Sequence, residues 1–127
     1  MEFKSKQAIY LQIADQFLEN ILQGKWAKGD KIASIRDISV EFEVNPNTTM
    51  RTFNFLQEKE IIYNKRGVGY FVSEEGYEKT LLLKREKFFS EELPAFLKTM
   101  RLLNIGLEDL QHYMDHLNNP TENENKQ

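Results

Sequence analysis

The side chains of this sequence that can do chemistry are hydrogen-bond donors and cations rather than nucleophiles or metal ligands. Arg36, Asn45, Asn47, Thr48 and Arg51 fall within one stretch, Lys31 to Val72, which Lys65, Arg66, Gly67 and Gly69 bring to its end. Arginine and asparagine can make paired hydrogen bonds to base edges, while basic side chains and backbone N–H groups suit phosphate oxygens. The set is therefore equipped to grip a DNA duplex. It lacks what catalysis needs: there is no cysteine, no nucleophile motif and no phosphate loop, so an enzyme is not expected. His112 and His116, at i and i+4 with Asp109 one turn earlier, share a helix face that could bind a divalent metal. That face lies opposite Leu110, Tyr113, Met114 and Leu117, so a solvated surface is the better reading, and neither a metal nor a cofactor is expected.

The elements that must hold these residues can be read around Asn45-Pro46-Asn47-Thr48-Thr49. Asn45 is a good N-cap, and Pro46 fits the first helical position, where its missing N–H has no intrahelical partner to lose. In the helix that follows, Thr49, Thr52, Phe53 and Leu56 recur at i, i+3, i+4 and i+7 and face inward, leaving Asn47, Thr48 and Arg51 outside. Ser34 caps a shorter helix before it, with Asp37 completing an approximate capping box and Ile35, Ile38 and Phe42 inward. The compact Glu43-Val44-Asn45 link between the two gives the spacing of a helix-turn-helix, although Glu43 stands where a left-handed turn favours glycine. Ile61 to Lys65 and Tyr70 to Ser73 read as strands of a hairpin, a wing with basic residues and two glycines at its tip.

Upstream, Ser5 can cap a helix with Ile9, Ile13, Phe17 and Ile21 on its apolar stripe and Tyr10, Ala14, Leu18 and Leu22 beside them. Gly24 fits its end, Trp26 to Lys31 is turn chemistry, and Lys31-Ile32 can form a short strand. The fold class expected is α+β and mostly α: a winged helix-turn-helix domain over 1–73, a helical dimerisation region over 74–118 and a disordered tail over 119–127.

A net charge of −3 argues against a simple nucleic-acid binder until the chain is divided. Residues 1–73 carry ten basic and nine acidic side chains, whereas 74–127 carry seven and eleven. The acid therefore sits outside the DNA-binding part, where the placement of Arg36, Arg51, Lys65 and Arg66 matters more than bulk charge. No run is long and apolar enough for a signal peptide or a membrane span, so a cytoplasmic protein with no membrane partner is expected.

After Glu74, Leu82, Phe89, Leu93, Phe96, Met100 and Leu103 follow a coiled-coil-like spacing that predicts a homodimer seam. Pro94 predicts a kink or a restart after Ser90, and Gly106 a second break before a last amphipathic helix. Phe88, Phe89 and Phe96 could line a pocket for an unidentified small-molecule effector, but dimer packing is the default for apolar residues at helical spacing.

With these residues in place the sequence resembles the GntR family of bacterial transcription regulators, and most closely its small YtrA-type subfamily. The resemblance is carried by Ile9-Tyr10-x-Gln12-Ile13, Ser34-Ile35-Arg36-Asp37, Val44-Asn45-Pro46-Asn47-Thr48 and the Arg-Gly-x-Gly-x-Phe-Val run at Arg66 to Val72. It departs at Ala33, where the family usually has proline, at Ser39, usually alanine, and at Glu43, commonly glycine. The resemblance implies DNA contact by Arg36, Asn45, Asn47, Thr48, Arg51, Gly67 and Gly69, to which the residue pattern adds Ser34, Lys65 and Arg66. It also implies a homodimer joined through the C-terminal helices, no large ligand-binding domain, and control of genes that often encode ATP-driven transporters. The leading expectation is a repressor on a palindromic operator. The alternative is a protein–protein adaptor that keeps a winged helix for its shape, which the weak positive charge favours.

Overall fold

Apolar residues three and four apart turn one side of the first helix into the core. The computed structural model describes residues 7 to 118; Ser5 and the tail 119–127 lie outside them. Helix α1 (Ile9–Leu22) buries Ile13, Ala14, Phe17, Leu18 and Ile21. No side chain caps it at Ala8, and the Gln12 amide instead donates to the carbonyl of Gln7 at 2.9 Å. Gly24 follows its end in the left-handed conformation (φ 81°), and Trp26 then packs edge-on against Phe17, ring centroids 4.8 Å apart.

Strand β1 (Lys31–Ile32) leads to α2 (Ile35–Phe42) and α3 (Pro46–Glu58), which pack on each other and, through α3, on α1. Both caps are local chemistry: Ser34 Oγ accepts from the Asp37 N–H at 3.1 Å, and Asn45 Oδ1 from the Asn47 N–H at 2.7 Å. Strands β2 (Ile62–Lys65) and β3 (Gly69–Val72) form the hairpin, and β1 joins β3 to give a three-stranded antiparallel sheet ordered β1-β3-β2. The register pairs Lys65 with Gly69 and Lys31 with Phe71, which brings the end of the β1 segment beside the wing.

The chain divides into two compact units, one running through Arg85 and one from Glu86 onward. The first takes in most of α4 (Gly76–Lys87) together with the winged motif. Gly76 is why the helix can approach so closely: a Cβ there would stand 3.0 Å from both the Ile61 carbonyl oxygen and Val72 Cγ1. Thr80 is buried, Leu83 packs on the core, and Lys84 pairs with Asp15 at 3.4 Å. Lys79 pairs with Glu60, and its hydrogen bond holds the Glu60 carboxyl below the usual carboxylate range.

In the second unit a π-helical turn (Phe88–Glu92) precedes α5 (Leu93–Leu102), and α6 is Leu107–Asn118. The restart expected near Ser90 falls at Leu93. Pro94 has no N–H to offer the carbonyl one turn back, and the widened turn just before it takes up the fault. A π turn also winds more residues per turn than the α-helix that the heptad spacing assumes. The break assigned to Gly106 is made earlier, by Asn104 in the left-handed region (φ 59°), with the Ile105 N–H reaching the Met100 carbonyl at 2.9 Å. Gly106 instead opens α6, its N–H donating to Asp109 Oδ2 at 3.0 Å. Among the described residues no helix is long and apolar enough to cross a membrane.

Candidate nucleic-acid interface

The inner face of α3 fixes its outer face. Thr49, Thr52, Phe53 and Leu56 are fully buried, and the spacing that buries them leaves Asn45, Asn47 and Arg51 exposed and Thr48 half-buried. Two hydroxyl contacts lock the helix in place. Ser39 of α2 and Thr49 of α3 share a hydrogen bond of 2.7 Å inside the helix-turn-helix, and Thr52 Oγ1 donates to the Tyr10 carbonyl of α1 at 2.7 Å. The turn itself needs a left-handed residue, which Glu43 supplies at φ 55°. Ser34 and Arg36 are exposed at the start of α2.

At the wing, Lys65, Arg66 and Gly67 are exposed and the Val68 N–H closes the turn on the Lys65 carbonyl at 2.8 Å. Gly67 (φ 79°) and Gly69 (φ 144°) both occupy backbone conformations that side chains disfavour. A Cβ on Gly69 would meet only the end of the exposed Lys31 side chain, 3.0 Å from its Cε, which can move aside. Turn geometry thus accounts for these glycines whether or not they also approach DNA. Between the wing and the start of α2 lies an open groove of about 410 Å³, lined by Lys31, Ser34, Asp37, Val68 and Tyr70 among others. Lys31 and Tyr10 were not singled out as site residues from the sequence. Lys31 reads there as strand, and Tyr10 as part of an apolar stripe. In the fold the Tyr10 ring lies under the Arg51 guanidinium, 4.1 Å from centroid to Cζ, and Phe55 is in T-shaped contact with it, ring centroids 6.4 Å apart.

A capped helix-turn-helix with a polar outer face and a glycine-tipped basic wing is the geometry of a bacterial DNA-binding regulator, and comparison with known proteins agrees. The family described as bacterial regulatory proteins, gntR family, matches residues 9–72. The chain belongs to the GntR family. YhcF of Bacillus subtilis, an HTH-type transcriptional regulator, is 34% identical over 86% of this chain and 88% of its own length. The B. subtilis transcriptional repressor YtrA is 30% identical over 87% of this chain and 85% of its own. A crystal structure of a GntR-family regulator from Bacteroides thetaiotaomicron superposes with a TM-score of 0.71 at 37% identity, covering 87% of this chain and 97% of that one. As a GntR protein the chain is a DNA-binding transcription regulator and not an enzyme.

Beyond the GntR match, Leu82, Phe89, Phe96 and Leu103 are exposed and Leu93 is half-buried. Met100 differs: at 8% exposure it is buried in its own chain and has little surface left for a partner. Sequence spacing did not mark Leu102, Leu107 and Leu117 for the seam, yet they are among the most exposed apolar side chains, Leu107 at 82%. His112 and His116 stack edge to face with their Nε2 atoms 3.2 Å apart, and among the described residues no three metal-ligating side chains come together.

Proposed function

We propose that this GntR regulator is a repressor that acts in the cytoplasm as a homodimer on a palindromic operator. Two copies of α3 enter successive major grooves about 34 to 36 Å apart. Asn47, Thr48 and Arg51 meet bases, while Ser34, Arg36, Asn45, Lys65, Arg66 and the Gly67 and Gly69 backbone hold phosphates. The observation that carries this reading is the concentration of exposed Phe89, Phe96, Leu102, Leu103, Leu107 and Leu117 in the C-terminal unit, an apolar surface that a soluble monomer seldom keeps. The repressor role of the similar YtrA, and its near-equal length, support the direction of control. A small-molecule effector would act through the exposed rings of Phe88, Phe89 and Phe96, by changing the spacing of the two recognition helices.

Selection of bound fragments from genomic DNA tests the reading. The expected result is an enriched inverted repeat whose half-sites lie about one helical turn apart, bound by two chains, with reporter expression rising when the regulator is deleted. Recovery of a single unpaired half-site, or of no sequence at all, would overturn it.

A further inference from the structure

We infer that Tyr10, on the first helix and outside the helix-turn-helix, is a positioning residue for DNA recognition, serving as the platform on which Arg51 is held for base contact. The inference rests on the reading of Arg51 as a DNA contact and adds to it the residue that aims the side chain. Arg51 follows Asn47 and Thr48 by four and three residues, so it shares their face of α3. An arginine there has several rotatable bonds, and ordering them on binding costs entropy unless something orders them beforehand. The Tyr10 ring does so from below at 4.1 Å. The ring itself is anchored on α3: its residue's carbonyl accepts from Thr52 Oγ1 at 2.7 Å, and Phe55 packs on it in a T-shaped contact. A guanidinium lying over a ring face is attracted by the π-system and keeps its in-plane N–H groups uncovered. Those are the groups that pair with a guanine edge or a phosphate. Among the described residues no salt bridge occupies Arg51, although Glu58 lines the same open groove.

The test combines Tyr10→Leu, Tyr10→Phe, Arg51→Ala and the Tyr10→Leu/Arg51→Ala double variant on a labelled duplex carrying the selected repeat. NMR of the free protein, with no DNA, reads the platform directly, because side-chain protons of Arg51 stacked on a ring shift upfield. That shift should survive Tyr10→Phe and vanish in Tyr10→Leu. Tyr10→Leu should weaken binding about three- to tenfold, Tyr10→Phe should match wild type, and the double variant should bind no more weakly than Arg51→Ala alone. A loss in Arg51→Ala with none in Tyr10→Leu would overturn the platform while leaving Arg51 a DNA contact. No loss in either would remove Arg51 from the interface altogether. Additive losses would mean that Tyr10 acts by another route and would also overturn it. If Tyr10→Leu does not fold, Tyr10→Met, flexible and without a π-face, asks the same question.

Discussion

Two of the positions at which this chain departs from the GntR pattern show what single residues do inside the motif. Ser39 stands where alanine is usual, and the added hydroxyl is neither idle nor exposed, because it bonds to the buried Thr49 hydroxyl at 2.7 Å. Ser39→Ala therefore removes one partner and strands the other, and should lower stability by about 1 to 3 kcal/mol. Urea denaturation checks this, and pairing the change with Thr49→Val should recover most of the loss. Glu43 is the opposite case. Its left-handed backbone at φ 55° carries a steric cost of about 1 to 2 kcal/mol that glycine avoids. Glu43→Gly should raise the urea midpoint by the equivalent of about 1 kcal/mol, less the extra chain entropy that glycine brings to the unfolded state. A lowered midpoint would mean that the Glu43 side chain stabilises the turn. The caps at Ser34 and Asn45 were legible in the sequence because a cap acts over three residues. The Tyr10–Arg51 stack was not, because it joins two helices whose approach only the fold determines.

Elements were legible where a strong period or a turn signal marked them. The inward spacing of α3 and the Arg66-Gly67-Val68-Gly69 tip each lead to the observed element, with ends shifted by about one residue. Helix α4 is the instructive failure. Glu78, Lys79, Lys84, Arg85 and Glu86 interleave its apolar residues, so no clean stripe announces that it docks on the winged unit. The docking depends on what is absent from Gly76. Gly76→Ala should force a Cβ to 3.0 Å from backbone and core atoms and destabilise the fold by about 1 to 3 kcal/mol; thermal denaturation that matches wild type would show that the helix can withdraw at little cost. The wing makes a different kind of prediction, since Lys65 and Arg66 are exposed and are proposed to act through charge. Replacing both with alanine should reduce the slope of log affinity against log salt by roughly one to two, with little change in base preference. An unchanged slope would place the wing away from the phosphates.

At the scale of the whole molecule, charge and apolar surface divide the chain in the same direction, with acid and exposed hydrophobic side chains gathered after the wing. One recognition helix reads too few base pairs to find an operator among many competing sites, so the proposed specificity depends on joining two. The proposed join rests on a seam spacing that presumes an unbroken α-helix, whereas a π turn stands before Pro94. Phe96 is the sharpest probe, since it is 48% exposed in the single chain whereas Met100 is already covered. About half of a phenylalanine's roughly 200 Å² is left for a second copy to bury. At about 25 cal/mol per Å² that is worth about 2 to 3 kcal/mol per chain, and twice that per dimer. Phe96→Ala should then weaken association roughly a thousandfold or more, enough to dissociate the dimer at micromolar concentration. The winged unit keeps its own core in Phe17, Phe53 and Leu56, so the variant should stay folded by circular dichroism while operator binding falls. Sedimentation velocity decides the matter: a variant still fully dimeric at micromolar concentration would place the interface on other residues, with the exposed Leu107 and Leu117 of α6 the next to replace.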